Sequence, residues 1–147
     1  MVQELTPSGP LVIELRRSGP RRATLTPVIY ELRSYDIVPE LVQEYLAWIH
    51  DHALPVMRRF GFRIVGFWWV AKDGTDPRPR TNIRWIVAWD SQEQMEARWA
   101  QMKASEEWQA VWRMVKDDSN RSRFHRGTRR AILHALVDPV VPDASPE

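Results

Sequence analysis

Residues capable of acid–base chemistry fall where one face of a helix would meet a sheet. His52 lies in a segment whose apolar residues recur every three or four positions, and Tyr45 shares its helical face. Tyr30 belongs to the preceding strand and can point towards the same space. An imidazole there could abstract a proton next to a carbonyl while a tyrosine donates a hydrogen bond. We predict His52, Tyr30 and Tyr45 as catalytic residues; the alternative is a partly buried histidine bonded to a backbone carbonyl.

Charged residues alternate along the strand that contains Tyr30. Glu31, Arg33 and Tyr35 share one face of it, where Arg84 and His134 from other strands could meet them. Buried charges must be paired. We therefore expect a network of Glu31, Arg33 and Arg84, which is either interior structure or a binding site for a carboxylate or enolate.

Tryptophan is unusually frequent, with eight among 147 residues. Four of them are candidates for the wall of a ligand cavity, namely Trp48, Trp68, Trp85 and Trp89. Such a wall suits a flat aromatic or polyketide-like molecule. The alternative is that these rings only fill the core and an interface.

Several motifs are absent from the sequence, and their absence excludes some classes of functional site. The chain has no cysteine, which excludes disulfides, thiolate metal ligands and a cysteine nucleophile. His50 and His52 would diverge by about 200° on a helix and cannot share a metal ion. There is no glycine-rich phosphate loop and no Gly-x-Ser-x-Gly elbow. We therefore expect neither a metal nor a cofactor.

The distribution of charge argues against a nucleic-acid partner. The formal net charge is only +2, and arginines concentrate at 16–22 and 121–130 without any helix-turn-helix, zinc or RNA-recognition pattern. No run of 18 apolar residues could span a membrane. The first twenty residues lack the pattern of a secretory signal, so we expect a cytoplasmic protein.

The elements that must position these residues follow the order β-α-β-β-α-β. Strands are predicted over 28–35, 62–71, 82–89 and 128–137, with a loop over 72–81. Helices are predicted over 39–59, with Pro55 kinking its last turns, and after Ser91, whose spacing to Gln94 is that of a capping box. The fold class is therefore α+β, ferredoxin-like.

The domain limits follow from composition. Proline, glycine and serine punctuate residues 1–26, which we predict to be a flexible arm. Residues 27–137 form the predicted folded domain, and the proline-rich, acidic residues 138–147 a disordered tail.

Large apolar side chains are predicted on both faces of the central hairpin. In its first strand Ile64 and Trp68 point one way, and Phe67 and Trp69 the other. Helices in this topology cover only one face, so we expect a second copy of the sheet to cover the other in a homodimer. The alternative cover is the N-terminal arm.

Several segments of the chain resemble the NIPSNAP family. Residues 29–35, Ile-Tyr-Glu-Leu-Arg-Ser-Tyr, resemble its Tyr-Glu-Leu-Arg-x-Tyr opening strand, and residues 87–91 its Trp-x-Tyr-Asp-Ser motif. Residues 105–108, Ser-Glu-Glu-Trp, resemble its Asp-Pro-Glu-Trp segment. Trp85 stands where the family often has histidine, and the family's Gly-Pro-Leu-Asn hairpin is reduced to Asn82. The chain is thus identified as a diverged member.

The resemblance implies a dimeric α+β barrel. That superfamily includes cofactor-free monooxygenases, polyketide cyclases, muconolactone isomerases and haem enzymes, so fold alone does not select an activity. Our leading hypothesis is a cofactor-independent enzyme of bacterial secondary metabolism that cyclises or isomerises a hydrophobic small molecule by proton transfer. The alternatives are a non-catalytic dimer that binds a ligand or partner, a cofactor-free monooxygenase, and a haem protein using His52 or His134.

Overall fold

The computed structural model describes residues 28–71 and 81–137. The predicted arm, the predicted tail and all of the predicted loop except Thr81 lie outside these residues. The strands are β1 (Ile29–Ile37), β2 (Arg63–Trp69), β3 (Ile83–Trp89) and β4 (His125–His134). The α-helices are α1 (Val42–Trp48), α2 (Leu54–Arg59), α3 (Gln92–Ala104) and α4 (Glu106–Arg113).

The four strands form one antiparallel sheet in the order β2-β3-β1-β4. The two central strands are thus the first and third in the chain, which is the ferredoxin-like arrangement. The predicted α+β fold class is confirmed. No helix in the described ranges is both long and apolar enough to cross a bilayer.

The first helical segment is not a regular α-helix. It begins as a 3₁₀ turn at Pro39–Leu41, continues as α1, and passes through a π-helical turn at Ile49–Ala53 into α2. The Leu54 N–H donates to the Ile49 carbonyl, five residues back. Pro55, which follows, has no N–H to donate and would crowd the carbonyl four residues before it in a regular helix. The irregularity therefore lies one turn earlier than the kink expected at Pro55.

Helix ends follow the capping rules. The Ser91 hydroxyl accepts the Gln94 N–H at 3.0 Å, and the Gln94 side chain accepts the Asp90 N–H at 2.8 Å. Gly61, at a φ of 81°, ends α2, with the Phe62 N–H reaching back to the Met57 carbonyl at 3.1 Å. A left-handed residue at this position favours glycine. The predicted capping box at Ser91 and Gln94 is confirmed.

A β-bulge changes the faces of β2. The register with β3 shifts between Ile64 and Gly66, so Ile64 pairs with Val87 while Phe67 pairs with Trp85. Ile64 and Phe67 therefore share a face, and Trp68 lies on the other. The prediction that Ile64 and Trp68 point the same way is wrong, because a strict period of two does not survive a bulge.

The helices pack on one face of the sheet. The odd-numbered residues of β3, from Ile83 to Trp89, are almost fully buried with helical residues in a single core. The opposite face, here called the outer face, carries Leu32 and Ile86, both partly buried. On its flanks Trp68 is 47% exposed and Leu133 is 37% exposed.

The side chain of Asn82, just before β3, is hydrogen-bonded to the backbone of β1. Its side-chain amide accepts the Ile37 N–H at 2.8 Å and donates to the Ile37 carbonyl at 2.7 Å. Its backbone N–H also donates to Tyr35 at 2.8 Å. The Asn82 amide thus takes the place of a further backbone partner for β1, just before β3 begins.

Candidate functional site

A cavity of about 670 Å³ lies between the sheet and the helices. The walls come from β1, β3, the start of β4 and all four helices. Aromatic side chains dominate the interior, and the lining includes Tyr35, Tyr45, Trp48, Trp85, Trp99, Trp108, Trp112 and His125. Its size and aromatic walls are those of a small-molecule site.

His125 stands at the centre of an aromatic cluster in this cavity. Its ring meets the Tyr35 ring edge-on with centroids 4.5 Å apart, and the Tyr45 ring at 5.7 Å. The Tyr45 ring also packs against Phe124 at 5.5 Å. These contacts join the first strand, the first helix and the last strand around one imidazole.

Burial sets the protonation states of this cluster. Desolvation lowers the pKa of His125 to about 4, so the imidazole is neutral at neutral pH. Burial raises the pKa of Tyr45 well above its ordinary value, and the neighbouring Tyr35 raises it further. Burial likewise raises the pKa of Tyr35, against the opposing effect of Arg33. The cluster therefore combines a neutral imidazole with two protonated hydroxyl groups.

Polar atoms of this cluster are left without partners. The Tyr45 hydroxyl and His125 Nδ1 are buried and make no hydrogen bond within the described residues. A buried polar atom without a partner costs about 1–3 kcal/mol, which folded proteins usually avoid. Both atoms belong to residues that line the cavity, so a ligand that reached them would complete their hydrogen bonds.

Glu31 and Arg33 form a buried ion pair beside the cavity. Glu31 is fully buried and accepts from Arg33 at 3.1 Å and from the indole N–H of Trp99 at 2.8 Å. A second indole, that of Trp89, donates to Glu31 at 3.4 Å. The Arg33 guanidinium lies over the Trp99 ring at 4.2 Å and lines the cavity.

Arg84 is not part of that network, contrary to the prediction. It pairs with Ser34 across the β1–β3 ladder, whereas Glu31 pairs with Val87. Because directly paired residues share a face, Arg84 lies on the outer face, where it contacts the Thr81 hydroxyl at 3.4 Å.

Two of the three predicted catalytic residues lie away from the cavity. His52 is exposed, because the π turn carries Ile49 and Ala53 inwards and leaves His52 outside. Tyr30 is buried but pairs with Ala88, on the outer face of the sheet. Only Tyr45 lines the cavity as predicted. His134 is exposed as well, so neither histidine considered for haem lines the cavity.

Of the four tryptophans predicted to contact a ligand, two line the cavity and two do not. Trp48 and Trp85 line the cavity. Trp89 is fully buried behind it, packed edge-on against Phe62 with centroids 4.8 Å apart. Trp68 lies on the outer face and is half exposed, so it cannot line this cavity.

His125 was not predicted as a site residue. The predicted last strand begins at Thr128, whereas β4 begins at His125, which pairs with Ile37 across a register shift. One available signal was Phe124-His125, an aromatic pair between exposed arginines. Trp99, Trp108 and Trp112, which were not among the predicted site residues, also line the cavity.

Comparison with known proteins agrees with this fold. The chain resembles an uncharacterised NIPSNAP-like domain protein from Burkholderia xenovorans, with 22% identity, a TM-score of 0.62 and coverage of 80% of this chain and 93% of that one. It also resembles a NIPSNAP family protein of unknown function from Agrobacterium tumefaciens, with 17% identity, a TM-score of 0.64 and coverage of 80% and 96%.

A more distant likeness is to an ethyl tert-butyl ether d (ethd) family protein from Bacillus halodurans. It has 13% identity and a TM-score of 0.50, over 74% of this chain and 99% of that one. A comparison with curated protein sequences finds no match. The sequence profile of the NIPSNAP family matches residues 30–131, which include every helix, β2 and β3, and all but the first residue of β1 and the last three of β4. The chain therefore belongs to the NIPSNAP family.

Proposed function

We propose that the protein is a cofactor-independent enzyme that moves a proton on a hydrophobic, aromatic small molecule, in an isomerisation or a cyclisation. The observation that carries the proposal is the His125 imidazole packed edge-on against the Tyr35 and Tyr45 rings on the wall of a cavity of about 670 Å³. A base and hydroxyl donors side by side are the groups that enolisation requires. The lowered pKa makes His125 a weak base, and the negative charge of an enolate beside it would stabilise the imidazolium that forms.

In the proposed reaction His125 accepts a proton from the carbon next to a substrate carbonyl. The electron pair of that C–H bond forms the enolate, and the Tyr45 hydroxyl donates a hydrogen bond to its oxygen. In an isomerisation the imidazolium returns the proton to another carbon. In a cyclisation the enolate carbon attacks a second carbonyl of the substrate, and the resulting alkoxide takes the proton. No electrons leave the substrate, so no redox partner is needed.

The cavity walls support an aromatic substrate. Trp108 and Trp112 lie nearly parallel, with an interplanar angle of 18°, and the Trp85 ring is stacked on Phe67 at 24°. Flat aromatic faces favour flat ligands. Low polarity around the carbonyl would also strengthen the hydrogen bond from Tyr45 as negative charge develops.

The test uses a neutral bicyclic ketone, 2-tetralone, in deuterated buffer. Proton NMR follows the loss of signal from the hydrogens next to the carbonyl. We expect wild-type protein to accelerate this exchange and His125→Gln to lower the acceleration by about 100-fold, within the range for a positioned general base. The matched control is His52→Gln, which removes an exposed imidazole and should leave the rate unchanged.

Two results would contradict the proposal. If His52→Gln abolishes exchange while a folded His125→Gln retains it, the assignment of the base is wrong. If wild-type protein leaves 2-tetralone and related aryl ketones exchanging at the buffer rate, the enzymatic proposal is wrong. A binding protein that uses the same cavity would then be the better description.

A further inference from the structure

The cavity wall carries basic side chains without acidic ones. Within the described residues, Arg33, Lys103, Arg121 and Arg126 line it, and no aspartate or glutamate does. Walls of one sign attract ligands of the opposite sign and raise their local concentration. These four residues are here called the basic rim.

Two members of the basic rim already have carboxylate partners. Arg33 is paired with Glu31 at 3.1 Å, and Arg126 with Asp36 at 2.8 Å. Each of these pairs has a net charge close to zero. Arg33 and Arg126 therefore orient hydrogen bonds to a ligand more than they add net positive charge to the cavity.

The other two members, Lys103 and Arg121, carry the excess charge. Neither side chain forms an ion pair with a carboxylate within residues 28–71 and 81–137. The Lys103 ammonium lies 5.3 Å from the centre of the Trp99 ring. The Asp117 carboxylate near Arg121 accepts the backbone N–H groups of Arg121 and Ser119. The rim therefore offers two positive charges to a ligand.

We propose that the cavity binds an aromatic carboxylic acid, with its ring against the tryptophan walls and its carboxylate at the basic rim, attracted by the charges of Lys103 and Arg121. This inference rests on the proposed function, because both concern the same cavity. It adds that the substrate carries a carboxylate as well as the carbonyl. Ammonium and guanidinium groups make the strong, charge-assisted hydrogen bonds that a carboxylate accepts. An aromatic body and one anionic end match a cavity with aromatic walls and a basic rim.

The test compares two probes of nearly the same shape, 2-naphthoate and its neutral amide, 2-naphthamide. Isothermal titration measures their affinities for the full chain at low and moderate salt. We expect wild-type protein to bind 2-naphthoate at least about tenfold more tightly than 2-naphthamide, as expected for hydrogen bonds to a charged group. Salt should weaken only the naphthoate complex, because it screens charge.

Two substitutions test whether the carboxylate of 2-naphthoate binds at the basic rim. Lys103→Gln and Arg121→Gln should each weaken naphthoate binding by about tenfold and leave naphthamide binding within twofold. Arg58→Gln removes an exposed guanidinium that does not line the cavity, and it should change neither affinity.

The outcomes separate this inference from the proposed function. Equal affinity for both probes, or naphthoate binding that is lost equally in Arg58→Gln, overturns the carboxylate inference and leaves proton transfer on neutral 2-tetralone untouched. Failure of both probes to bind overturns the inference as well. Naphthoate-selective binding together with unaccelerated 2-tetralone exchange supports the inference and refutes the enzyme.

Discussion

The His125 imidazole is largely buried, so its protonated form is poorly solvated. This lowers the stability of the folded protein at low pH. Burial lowers its pKa from 6.5 to about 4 in the folded protein. Between these two values the unfolded chain binds a proton that the folded chain does not. The free energy of unfolding must therefore fall as the pH falls from 6.5 to about 4.

We expect His125 to contribute up to about 3 kcal/mol of this loss, because each unit of pKa corresponds to about 1.4 kcal/mol. Urea unfolding measured at several pH values checks this. In His125→Gln the fall between pH 6.5 and 4 should be smaller than in wild type, whereas His52→Gln should follow wild type. An equally steep fall in His125→Gln would mean that other groups cause the acid sensitivity.

Individual residues also show what a sequence can and cannot reveal. Tyr45, Trp48 and Trp85 were predicted to line a site because regular helical and strand spacing places them inwards, and they line the cavity. His52 was misplaced because a π turn adds a residue to one helical turn, which no periodicity analysis includes. Regular spacing therefore placed these three side chains, but it did not place Tyr30, which lies on the outer face of the regular strand β1.

At the scale of elements, the bulge in β2 is the feature that most changes the sheet. It separates Ile64 from Trp68 and turns the Trp68 ring over Gly66, where an added Cβ would collide with it. Strand order and the Ser91 helix cap were predictable, since they depend on turn residues and on a hydroxyl that accepts a backbone N–H. Bulges and strand ends depend on pairing across the sheet, which explains why the start of β4 at His125 was missed.

Gly66→Ala tests this contact between strand and ring. We expect the substitution to destabilise wild-type protein by about 1 kcal/mol, because the Trp68 ring must move away. In a Trp68→Ala background the same change should be neutral or stabilising by a few tenths of a kcal/mol, since alanine loses less chain entropy than glycine. Urea unfolding of the four proteins gives the coupling, and equal effects in both backgrounds would contradict the described ring position.

At the scale of the whole molecule, the helices leave the outer face of the sheet uncovered within the described residues. That face has Leu32 and Ile86 at its centre, with Trp68 and Leu133 towards its edges. An apolar face of this kind usually marks an interaction surface. We propose that a second copy of the chain covers it, which is the homodimer expected from the sequence.

Ile86→Lys tests the homodimer. A lysine at the centre of a self-complementary interface is placed near its own copy and buries charge twice, so dimerisation should fail. Sedimentation velocity at micromolar concentration should show a dimer for wild type and a monomer for Ile86→Lys. Arg58→Gln, away from the sheet, should remain dimeric. A monomeric wild-type protein would rule the interface out.

The two hydrogen bonds between the Asn82 amide and the Ile37 backbone have a consequence for the segment between β2 and β3. Because one side chain holds the N-terminal end of β3 to β1, this attachment does not depend on the sequence of the segment that precedes it. We therefore expect the protein to tolerate a connecting segment of different length and composition as long as Asn82 is kept. Asn82 resembles the asparagine of the family's Gly-Pro-Leu-Asn hairpin, which is the part of that motif found in this chain.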